Sequence, residues 1–150
     1  MLYNMSSTLH QPLHQLTNQP IYLSINPPDA GATACPDVGT LAKKCDVIIT
    51  MVPATAHVTG ILKGNGKQDG NSVFEAAKKG ALLIDCSTID PLASKSLAEE
   101  ASNAHSLEMI DAPVSGGVTG AAAGTLTFMC GGSDENIAKA TPVLEVSCRS

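Results

Sequence analysis

The chain has 150 residues, 43% of them hydrophobic and 15% charged, with a net charge of −5 and no tryptophan. That composition describes one globular domain with an aliphatic core and is too apolar for a disordered chain. The acidic balance argues against nucleic acid as a partner, and no apolar run is long enough to span a bilayer as a helix.

Residues 1–20 are polar and interrupted by proline. They carry no Lys, Arg, Asp or Glu, so neither a secretory signal nor a mitochondrial transit peptide is visible. His10 and His14 have the spacing of two metal ligands on a helix, but Pro12 between them opposes that helix and no metal site is expected. "IYLSI", 21–25, reads as a short strand closed by the turn "NPPDAG". "DVGTLAKKC", 37–45, reads as a helix with Asp37 as its N-cap. "DVIITMV", 46–52, reads as a continuous apolar strand rich in β-branched residues, the pattern of a parallel strand buried on both faces.

"TAHVTGILK" follows as a short helix, and "GNGKQDGN" as a loop. That loop mimics a dinucleotide fingerprint, but Asp69 stands where the third glycine belongs and the segment follows a helix rather than a strand. "SVFEAAKKG", 72–80, is expected to be a helix capped by Gly80, and "ALLIDCS" a second buried strand. "DPLASKSLAEEASNA", 90–104, opens with an Asp cap and a proline at the first helical position. "LEMIDAPV" and "GTLTFMCG" read as a third and a fourth strand, and Ser133 caps a last helix over "DENIAKATPVLEV".

Alternating strands and helices with short links predict an α/β fold with a mostly parallel sheet, and ligands at the carboxyl ends of its strands. Three such ends stand out: "TMVP", "DCST" and "APVSGG". Each ends in small or hydroxylated residues, and three on successive strands would line one crevice. The five cysteines, Cys35, Cys45, Cys86, Cys130 and Cys148, form no C-x-x-C pair and read as thiols in a reducing compartment.

The segments "DVIITMVP", "LLIDCSTIDP" and, above all, "DAPVSGGVTGAAAGTLTFMCGG" resemble the β-hydroxyacid dehydrogenase family, and within it the 3-hydroxyisobutyrate dehydrogenases. The resemblance runs from about Asp37 to about Leu144. It implies a Rossmann-type doubly wound sheet and NAD- or NADP-dependent oxidation of a small 3-hydroxy acid, as in valine breakdown. It implies that Ser115, Gly116 and Gly117 bind the substrate carboxylate through a hydroxyl and backbone N–H groups, where the lack of a Cβ permits close approach to an anion. Val52 and Pro53 match a loop along the cofactor, Thr88 a residue beside the nicotinamide ribose, and His57 a polar position that touches the cofactor in some members. The resemblance also implies an oligomer and a mitochondrial location, with the cytoplasm as the alternative.

Parts of the family pattern do not appear. Within these 150 residues no G-x-G-x-x-G loop follows a strand and no lysine sits in the family's catalytic G-x-x-x-K-x-x-N pattern, and the segment is expected to lack the first strand and the C-terminal helical domain of the family. The expectation is therefore an incomplete Rossmann-type domain. Residues 1–36 match poorly, 37–144 form a partial dinucleotide-binding domain, and 145–150 diverge. No catalytic residue is assigned. Alone, the chain is expected to bind NAD weakly, to be inactive and to be poorly soluble, with its best-formed part between Asp46 and Gly132. The alternatives are a relative acting on 2-hydroxy-3-oxopropionate, glyoxylate or succinic semialdehyde, and a non-enzymatic remnant. Ile25 or Asn26 would occupy the position that selects NAD over NADP, and neither is acidic.

Overall fold

The computed structural model describes residues 35–64 and 71–145. The expected strand at 21–25, the cofactor-selecting position at 25–26, most of the 64–71 loop and the 146–150 tail lie outside the described residues.

Helix α1, Val38–Ala42, begins where the Asp37 carboxylate accepts a 2.7 Å bond from the amide of Thr40. Strand β1, Val47–Thr50, is followed by helix α2, Thr55–Lys63, which turns Val58, Ile61 and Leu62 inward. Helix α3 covers only Val73–Ala76, shorter than the expected 72–80. Val73, Phe74 and Ala76 are its buried anchors, and the residues that follow, Lys78 to Gly80, have no apolar face to bury. The chain leaves the helix at Ala77, so Gly80 does not cap it. Gly80 instead makes a left-handed turn (φ 77°) into the next strand.

Strand β2, Leu82–Asp85, is buried along its whole length. Helix α4, Pro91–His105, starts as its sequence predicts, with the Asp90 side chain accepting from the Ala93 amide at 2.9 Å. It ends at Ser106 in the left-handed conformation. Strand β3 is Glu108–Asp111. The three strands pair in parallel in the order β1-β2-β3, with Val47, Leu82 and Glu108 in register.

The pleat sorts the core. Ile48, Leu83 and Met109 face one side and pack with residues of α1 to α4. Val47, Ile49, Leu82, Ile84 and Ile110 face the other, against Ala140 and Leu144 of helix α6, Asp134–Leu144. Helices on both faces make the sheet doubly wound. Strand β1 departs from the expectation of full burial, because Val47 and Ile49 are only partly covered. Among the described residues β1 is an edge strand, and β2 alone has a neighbour on each side.

The glycine-rich segment differs more from expectation. It does not join two strands of the main sheet. Strand β3 stops at Asp111, and a separate antiparallel pair forms from β4, Val114–Ser115, and β5, Thr127–Phe128, with helix α5, Gly117–Ala123, between them. The chain then returns to its point of departure. The amide of Gly131 donates to the Asp111 carbonyl at 2.8 Å, and that of Asp111 to the Gly131 carbonyl at 3.0 Å. Pro113 has no N–H to donate, which helps end the parallel ladder there. Residues 112–130 are thus an excursion standing on the carboxyl edge of the sheet.

Candidate functional site

Because all three strands run the same way, their carboxyl ends share one edge. The segments that sequence reasoning selected leave the sheet there. Val52 is buried just past β1 and Pro53 is exposed beside it; Thr88 is exposed past β2. His57, in the first turn of α2, is half-buried, and its Nδ1 is buried without a hydrogen-bond partner. Ser115, Gly116 and Gly117 are all exposed at the end of β4 and the start of α5.

Glycine is required at 116 and 117 by the backbone. Gly116 is the N-cap of α5 at φ 125°, and Gly117 follows at φ 58°. A β-carbon on Gly116 would meet Leu126 Cδ2 at 3.2 Å, whereas one on Gly117 would project into open space. The helix's own bonding begins at Gly120, whose amide donates to the Gly116 carbonyl at 2.9 Å. The N–H groups of Gly117, Val118 and Thr119 therefore stand outside the intrahelical ladder, at the end of a helix that favours negative charge.

The first two loops are joined by a buried network that sequence reasoning did not assign. The last backbone rung between β1 and β2 runs from the Cys86 amide to the Thr50 carbonyl at 2.7 Å. Beyond it, side chains take over. Asp85 Oδ1 accepts from Thr50 Oγ1 at 2.8 Å and from the Ser87 amide at 3.0 Å, and Ser87 Oγ accepts from the Val52 amide at 2.9 Å. Thr50, Asp85 and Ser87 are all at most 4% exposed. The available signal was positional: Thr50 and Asp85 are polar residues ending otherwise apolar strands, in register with each other. No hydrogen bond of this network reaches Ser115–Gly117, which is tied to the same edge through β3.

Cys86 lies between Asp85 and Ser87, and its thiol is pushed up to about 12, first by burial and then by the Asp85 charge. It is no nucleophile at neutral pH. Among the described residues no cluster of His, Cys, Asp or Glu could hold a metal ion, and no helix is long and apolar enough to cross a membrane.

The edge just described has the geometry of a nucleotide-binding α/β sheet, and comparison with known families decides which one. Residues 14–149 match the NAD binding domain of 6-phosphogluconate dehydrogenase. The chain belongs to this family. Among curated relatives of the NAD-binding family, it is 44% identical over 117 residues to a probable mitochondrial 3-hydroxyisobutyrate dehydrogenase of Dictyostelium discoideum, covering 78% of this chain and 35% of that protein. It is 40% identical over 121 residues to an NAD-dependent L-serine dehydrogenase of Pseudomonas aeruginosa, covering 81% of this chain and 39% of that one. The solved structure of Mycobacterium tuberculosis 3-hydroxyisobutyrate dehydrogenase with L-serine superposes with a TM-score of 0.64 at 36% identity, over 73% of this chain and 35% of that one. The chain thus spans little more than a third of the length of these relatives. They act as oxidoreductases on hydroxy acids, and they agree with the fold, the NAD-binding character and the dehydrogenase class that the sequence motifs imply.

Proposed function

We propose that the chain is the sheet portion, over residues 37–144, of an NAD-dependent dehydrogenase acting on a small 3-hydroxy acid, with 3-hydroxyisobutyrate of valine breakdown as the favoured substrate. The observation that carries this reading is the excursion 112–130, which sets exposed Ser115, Gly116 and Gly117 on the same strand edge as the Val52–Pro53 and Thr88 loops. The Ser115 hydroxyl and the N–H groups that open α5 are suited to a carboxylate, and the open space over Gly117 leaves room for one.

Val52, Pro53, Thr88 and His57 would line the nicotinamide nucleotide. The chemistry of this edge fits such a group: an apolar wall at Val52 and Pro53, a hydroxyl at Thr88, and the buried, unpartnered Nδ1 of His57. When bound, the nucleotide supplies the two-electron acceptor that hydroxy-acid oxidation needs. This chain's own residues bind and orient; none of its lysines is assigned as the base for the hydroxyl proton. The name of the serine dehydrogenase relative supports NAD, and that of the Dictyostelium relative supports a mitochondrial location.

L-Serine, itself a 3-hydroxy acid, is the second reading, favoured by the serine dehydrogenase relative and by the L-serine with which the mycobacterial enzyme was solved. The test is a steady-state assay of the complete coding product containing this chain, with both acids and both nucleotides. The proposal expects NAD reduction with 3-hydroxyisobutyrate at the higher kcat/KM. A preference for serine selects the second reading, and no turnover with either acid refutes both.

A further inference from the structure

We propose that Asp85 is a positioning residue that sets the shape of the cofactor-facing edge, acting through Ser87 on the Val52 loop. The proposal rests on the reading of Val52–Pro53 and Thr88 as the nucleotide wall. Its starting point is the end of the backbone ladder. Past the rung from the Cys86 amide to the Thr50 carbonyl, strands β1 and β2 stop pairing, and every buried N–H beyond must find another acceptor. The Ser87 amide finds Asp85 Oδ1 and the Val52 amide finds Ser87 Oγ. With the bond from Thr50 Oγ1 to the same carboxylate oxygen, three buried bonds connect the end of β1 to the start of the Thr88 loop.

Stability alone does not explain a carboxylate in this place. Asp85 is 1% exposed, and its Oδ2 is buried with no hydrogen-bond partner among the described residues. Burying a carboxylate with half of its acceptors unused is costly, and an apolar pair across β1 and β2 would hold the strands at least as well. What an apolar pair could not do is fix the direction of two backbone amides, each two residues past the end of its strand. Asp85 Oδ1, bonded to Thr50 of the neighbouring strand and to the Ser87 amide, holds the residue whose hydroxyl oxygen in turn accepts from the Val52 amide. Both loops then leave the edge at a fixed separation, which pre-organises the wall against which a flat ring must lie.

The decisive variant is Ser87→Ala, which breaks only the link to Val52 and leaves the carboxylate in place. Amide exchange at Val52 is expected to rise about five- to tenfold and the NAD dissociation constant by a similar factor, the loss of one buried hydrogen bond, with exchange in α4 and α6 unchanged. Asp85→Asn keeps the accepting Oδ1 and is expected to hold NAD affinity within about threefold of wild type, whereas Asp85→Ala, where it folds, should not. In the wild-type chain, NAD should protect the amides of Val52 and Thr88. NAD binding that leaves both amides unprotected overturns the wall reading and the positioning role together. Protection at both, combined with unchanged exchange and affinity in Ser87→Ala, overturns the positioning role alone.

Discussion

A β-carbon placed on Gly132 would stand 2.8 Å from Cγ2 of Ile110, inside any tolerable contact. Ile110 is 1% exposed in the centre of β3 and cannot retreat, and Gly132 has φ 153°, outside the range of ordinary side-chain-bearing residues. A β-carbon on its neighbour Gly131 would come closer still to a side chain, but that side chain is the half-buried carboxylate of Asp111, which can rotate outward. Gly132→Ala is therefore expected to cost about 2–3 kcal/mol and Gly131→Ala less than about 1 kcal/mol. Urea unfolding of the two variants beside the wild type measures the difference. Equal losses would show that the return of the glycine-rich excursion onto β3 is not packed as described.

Gly117 tests the carboxylate grip. Gly117→Val places a branched side chain in the open space over the start of α5, and the KM for the hydroxy acid should rise more than about tenfold while the KM for NAD changes less than about twofold. Valine at φ 58° also strains the backbone, so a matched control is needed. Gly80 supplies it: φ is 77°, the space around it is open, and it lies at the amino edge of the sheet, before β2. Gly80→Val should lower stability by a comparable amount and leave both KM values alone. Similar KM changes in the two variants would mean that strain, not occupation of an anion site, is being measured.

The buried thiols give the chain an alkaline limit. The Cys86 thiol is pushed from 9.0 up to about 12 in the folded state, so it stays protonated where the unfolded chain would ionise. The stability from this difference is fully present below about pH 9 and is lost between about pH 9 and 12, at about 1.4 kcal/mol per pH unit. Burial pushes the Cys45 thiol in the same direction. Denaturant midpoints of Cys86→Ala should fall less steeply than wild type over that range. At neutral pH a thiol reagent should modify exposed Cys130 while sparing Cys35, Cys45 and Cys86 among the described residues.

Much of this architecture was legible because local chemistry and tertiary demand agree. The start of α4 is one case: Asp90 caps it and Pro91 occupies the position where no N–H is missed. The strand "LLID" was legible as a buried run for the same reason, and "VIIT" as a strand, although Val47 and Ile49 are only partly covered. The errors arose where apolar content does not fix geometry. "LEMIDAPV" reads as one strand, yet its parallel register ends at Asp111, and "GTLTFMCG" pairs antiparallel with β4 through Thr127–Phe128 and meets β3 only at Gly131. Whether a strand continues depends on its neighbour, which composition does not encode. The candidate loops could be found because small and hydroxylated residues end three successive strands. The network on Asp85 could not, because it depends on the register that sets Thr50 opposite Asp85, a relation between residues 35 apart in sequence.

The central claim is that one strand edge holds both ligands, with the carboxylate at Ser115–Gly117 and the nucleotide at Val52–Pro53 and Thr88. Backbone amide NMR of the chain, titrated first with NAD and then with 3-hydroxyisobutyrate, tests it most directly, since it detects weak binding as well as strong. NAD should shift Val52, His57 and Thr88, and the hydroxy acid should then shift Ser115, Gly116 and Gly117. Shifts confined to other parts of the chain, or a hydroxy acid that leaves the amides of 115–117 unmoved, would contradict the account.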